Sequence, residues 1–69
     1  MTSELLKHEP YSILVAHHED EIRTRLRKTL RETGYHQIAI AQSGRNTINR
    51  LLRDSYHLLI IPLELPDLN

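Results

Sequence analysis

His17, His18, Glu19 and Asp20 stand in a row directly after a short apolar run, Ile13–Ala16. Imidazole and carboxylate together suit zinc or copper, and histidine is the side chain that titrates nearest neutral pH. If a metal were held here, His17, His18 and Glu19 would be its ligands. Adjacent residues at a strand end point in opposite directions, however, so the two imidazoles are not expected to converge on one ion. His36 and His57 fall near the starts of two later apolar runs, at the far edge of any sheet those runs form. The expected arrangement has one histidine capping the junction after the first strand and the other facing solvent, with no metal and no cofactor.

The elements that position this row follow from periodicity. Tyr11–Ala16 reads as a strand hidden on both faces, because its apolar run has no polar alternation. Asp20–Thr33 reads as a helix. Ile22, Leu26 and Leu30 form its apolar stripe, acids occupy its first turn and Lys28 and Arg31 its last, and Gly34 stops it. Arg23, Arg25, Arg27, Lys28 and Arg31 cover the other faces. A solvated face, supported by Lys28 and Glu32 at four-residue spacing, accounts for these cations better than a phosphate-binding helix does.

His36–Ala41 is a second strand in which small alanines alternate with isoleucines. Ser43 caps a second helix running to Asp54, with Ile48, Leu51 and Leu52 as its buried face. His57–Leu63 is a third strand, whose apolar run Leu58–Ile61 again reads as hidden on both faces, and Leu65-Pro66-Asp67 is a loop. A βαβαβ chain with right-handed crossovers places the first strand between the other two. The expected fold is therefore α/β, half of a flavodoxin-like doubly wound parallel sheet, in strand order 2-1-3. In such sheets chemistry sits beyond the carboxyl ends of the strands, where His17–Asp20 fall.

The bounds on function are tight. Sixty-nine residues make at most one small domain, and a chain of that size buries only about 60% of its unfolded surface. There is no cysteine, hence no disulfide framework and no thiolate metal site. Nine basic and nine acidic residues cancel, which argues against a dedicated nucleic-acid binder. No apolar stretch approaches the ~20 residues of a membrane span. The N-terminal MTSELLKHEP lacks the apolar centre of a signal peptide, so residues 1–10 are read as a tail or arm and the location as cytoplasmic.

Taken in order, ILVA-HHED-EIRTRLRKTLRETGY, AQSGRNTINRLLRDSYHLLII and LELPDLN resemble the first half of a receiver domain of two-component response regulators. Ile22/Leu26/Leu30, Gly34-Tyr35, Gly44, Leu51-Leu52, Tyr56 and Leu65-Pro66 fall where that family places such residues, and the likeness covers residues 11–69. It implies a magnesium-holding acid pair at positions occupied here by His17 and His18. It also implies a phosphate-accepting aspartate where this chain has Pro62, which has neither carboxylate nor N–H. Two imidazoles are a poor substitute for the hard oxygen ligands of magnesium. The hydroxyl and lysine of the family's later strands lie beyond residue 69.

The resemblance therefore implies a degenerate pseudo-receiver, truncated after its third strand. It would be a protein–protein interaction module of a signalling or transcriptional regulatory system, independent of phosphorylation and not an enzyme. The alternative is the N-terminal part of a longer response regulator whose receiver senses phosphate or metal atypically, with Glu64 or Asp67 as the nearest carboxylates. The expected partner is a second copy, or another signalling protein. Leu58, Leu59, Ile60 and Ile61 would form the homodimer interface, because a sheet ending at strand three leaves that strand as an apolar edge.

Overall fold

The structure, a computed structural model, describes residues 11–68. The expected tail or arm over residues 1–10 lies outside the described residues. Five elements follow in the expected order: β1 Ser12–Ala16, α1 Asp20–Glu32, β2 Gln37–Ala41, α2 Gly44–Arg53 and β3 Leu58–Ile60. The three strands are parallel, in the order β2-β1-β3. The fold is α/β with the sheet order of a half flavodoxin-like unit.

Register assigns the sheet faces. Leu14 and Ala16 pair with Ala39 and Ala41 of β2, and Leu14 pairs with Leu59 of β3. Leu14, Ala16 and Ala41 form the buried cluster, with Ala39 and Tyr56 packed against it. Ile13 and Val15 pair with Ile38 and Ile40 on one side and with Leu58 and Ile60 on the other, and these side chains share the opposite face. Ile13, Leu14 and Val15 are the largest fully buried side chains, each stabilising the fold by about 1.5–3 kcal/mol. The core is thus centred on β1. The crossover from β1 to β2 and the one from β2 past β1 to β3 run in opposite directions, and right-handedness of both puts α1 and α2 on opposite faces of the sheet.

Local chemistry explains the element ends. Gly34, at φ 113°, takes the left-handed conformation that closes a helix without a Cβ penalty. Ser43 caps α2: its hydroxyl accepts from the Asn46 amide at 3.1 Å, a bond worth about 1 kcal/mol.

Four expectations are corrected. The apolar stripe Ile48, Leu51, Leu52 is exposed, and the residues that α2 buries are Gly44 and Thr47. The helix settles on its smallest side chains, which let it lie close to the sheet. Among the described residues no further element covers its flank. Strand three spans only Leu58–Ile60 and is not hidden on both faces; Leu58, Leu59 and Ile61 are exposed. Pro62 cannot donate to a ladder, so pairing stops before it. On α1 the four-residue ion pair is Arg25 with Glu21, at 3.5 Å, and not Lys28 with Glu32. Finally, Arg23 does not belong to the solvated face but is buried, its guanidinium turned to the end of β1.

Candidate functional site: the carboxyl end of the sheet

Three loops leave the sheet at its carboxyl end. His17 follows β1, Gln42 and Ser43 follow β2, and Ile61 and Pro62 follow β3. Parallel pairing therefore brings His17, His18, the start of α2 and Pro62 to one end of the molecule, as the sequence suggested.

His17 is a junction rather than a free reagent. Its backbone N–H donates to Ala41 O at 3.1 Å, extending the β1–β2 ladder by one bond. Its imidazole Nδ1 accepts the Glu19 amide at 3.0 Å. That bond makes the local turn into α1, whose N-cap residue Glu19 makes no side-chain cap of its own. Its carbonyl accepts from Arg23 Nη1 at 2.8 Å. With Nδ1 accepting, the neutral ring carries its proton on Nε2. A metal on Nε2 would displace that proton and leave no N–H on the ring, so His17 serves as a ligand only if the turn opens.

His18 is exposed and its ring stacks on that of His17, with centroids 4.8 Å apart and planes 17° from parallel. This corrects the expectation that the two rings diverge. Strand geometry ends at Ala16, so alternation no longer governs residues 17 and 18. Glu19 lies beside His18, with Oε2 3.7 Å from Nε2.

Arg23 is the residue that sequence reasoning missed. It is only 8% exposed. One guanidinium nitrogen holds the His17 carbonyl and the other reaches Asp20 Oδ1 at 2.7 Å. The Nε atom is buried without a hydrogen-bond partner among the described residues. A single side chain thus ties the first turn of α1 to the end of β1. The available signal was weak: Asp20 and Arg23 at three-residue spacing on a helix that opens beside a strand end.

Most carboxylates of this end already have a neighbour. Asp20 serves Arg23 and Glu19 flanks His18. Asp67 accepts from both Gly44 N at 2.8 Å and Arg45 N at 2.9 Å, so it caps α2 from 23 residues downstream. The two amide bonds, Arg45 first and Gly44 second, hold its carboxyl below the usual carboxylate range. Beside it the Leu68 side chain lies over Gly44, where a Cβ would collide with it, and Leu65 is buried. Residues 65–68 therefore form a clasp on the N-terminus of α2. Of the two carboxylates considered as replacement phosphate acceptors, Asp67 is committed to this cap and Glu64 is exposed.

No three metal-ligating side chains stand together among the described residues. No helix among them is long and apolar enough to cross a membrane. Compared with protein-family models, curated proteins and solved structures, the chain matches none.

Proposed function

We propose that this chain is a protein–protein interaction module of a cytoplasmic signalling or transcriptional regulatory system, related to receiver domains and working without phosphorylation. One observation carries the proposal: among the described residues, β3 is an apolar strand paired on one side only. An uncovered edge of this kind is a template for pairing with another chain. The carboxyl end of the sheet supports the second half of the reading, since His17 and Asp67 are used up structurally and Pro62 carries no acceptor group.

The partner is a second copy, joined through Leu58–Ile61 by a two-fold axis near β3 that pairs the edges antiparallel into a six-stranded sheet. Sedimentation equilibrium tests this. A species of twice the 8.1 kDa chain mass is expected at micromolar concentration, and a folded monomer there would overturn it. Ile60→Lys should abolish the dimer. A small phosphodonor with Mg²⁺ should leave the intact mass unchanged; a stoichiometric gain of one base-labile phosphoryl group would remove phosphorylation independence from the reading.

A further inference from the structure

A stable specific interface takes about 800 Å² from each partner. With β3 only three residues long, the shared edge runs for about 10 Å. Edge pairing alone falls well short, so a lasting dimer needs contact beyond the ladder. Two features beside the edge stand ready for it. Leu63, just after Pro62, is completely solvated at 105% exposure.

At the opposite end of β3, Tyr11, Ile13, Tyr35, His57 and Leu58 line an open cleft of about 330 Å³. The rings of Tyr11 and His57 meet edge-on with centroids 5.3 Å apart. The imidazole is fixed there because Nδ1 accepts the Ser12 amide at 3.0 Å. The floor is the buried Ile13, which shares a sheet face with its register partner Leu58. The cleft therefore opens on the face of the sheet that continues into β3.

Resting on the homodimer reading above, we infer that Leu63 of each copy seats in the Tyr11–Tyr35–His57 cleft of the other. Antiparallel pairing centred on Leu59 sets Ile60 of one copy opposite Leu58 of the other, and Ile61 opposite His57. Leu63 is three residues beyond Ile60, within about 10 Å of chain, and the cleft begins at Leu58 itself. Pro62 ends the ladder and frees the chain to turn from the edge towards the sheet face. Two-fold symmetry makes the contact twice, at the two ends of the paired strands. Binding energy concentrates where tyrosine side chains are packed into desolvated contact, and a seated Leu63 would exclude water from Tyr11 and Tyr35.

The test is Leu63→Ser, followed by sedimentation equilibrium and circular dichroism. Because Leu63 is fully solvated in the single chain, the substitution leaves the monomer's fold alone. The dimer dissociation constant should rise tenfold or more with an unchanged spectrum. In samples mixing labelled and unlabelled chains, intermolecular NOEs should join the Leu63 methyls to the ring protons of Tyr11 and Tyr35. A Leu63→Ser dimer of wild-type strength, without those NOEs, would overturn the inference and leave the edge-paired dimer standing. A monomeric wild type would overturn the homodimer itself.

Discussion

Two runs of four apolar residues, Ile13–Ala16 and Leu58–Ile61, are close to interchangeable in composition, yet the fold treats them oppositely. No side chain of the first run is more than 1% exposed, whereas Leu58 is 50% and Ile61 45% exposed. The cause is topological. β1 has a strand on each side and packs against both helices, while among the described residues β3 has one strand neighbour. An uninterrupted apolar run reports the burial that a strand is suited to. At β1 the single chain supplies that burial; at β3 it does not. The surplus at β3 is the quantity that association can use.

The largest expected effect is therefore on β1. Leu14→Ala removes a fully buried side chain, a change that costs about 2–5 kcal/mol in a core. In so small a domain that exceeds the available stability, so the variant should be unfolded by circular dichroism at 25 °C. Leu59, its register partner on β3, is the control. At concentrations low enough to separate the copies, Leu59→Ala should cost less than half as much in urea titration while weakening association. Equal costs at high dilution would mean that β3 is as much a part of the single-chain core as β1.

The next effect concerns what fixes each strand at its carboxyl end. β1 is anchored by Arg23 through the His17 carbonyl and Asp20; β3 runs into Pro62. Arg23→Leu keeps the apolar stem but leaves the His17 carbonyl without its donor, a loss of about 1–3 kcal/mol. Arg23→Lys should recover only part of it, because one ammonium cannot span both acceptors as the planar guanidinium does. Urea denaturation of the three proteins checks this. A Leu variant as stable as the wild type would show that the guanidinium holds nothing.

Which of these features the sequence displayed follows a physical rule. Element order, the Ser43 cap and the Gly34 stop were legible because each depends on residues at most a few positions apart, and strand order because the handedness of crossovers converts element order into topology. The burial of Arg23 was hidden because its composition assigned it to a charged face, and only the docking of α1 on β1 turns it inward. Ile48, Leu51 and Leu52 follow a helical period that reads as a core stripe, but period cannot say whether a neighbour exists to cover it. The stacking of His17 on His18 depends on where strand geometry stops. Most hidden of all was the clasp, since no local pattern links Asp67 to amides 22 and 23 residues earlier.

That clasp gives the smallest effect, and it sharpens the contrast by showing how the chain after β3 is held although its edge is free. Hydrogen bonds from Arg45 N and Gly44 N favour the ionised Asp67 carboxylate and lower its pKa from the ordinary 3.8. A carboxyl whose folded pKa is depressed contributes stability that is fully present above its unfolded pKa. That contribution fades as pH falls through the lower, folded value. Wild type should therefore exceed Asp67→Asn in stability at pH 7, and the gap should close as the solution is taken below the ordinary carboxylate range. Paired urea titrations at neutral and acid pH measure the gap. Amide exchange at Gly44 and Arg45 locates it, with both amides better protected in the wild type at neutral pH and equally exposed at the acid end. A gap of constant size across that range would mean that the amide side chain of asparagine fails for reasons of shape, and that the charge on Asp67 does not hold the clasp.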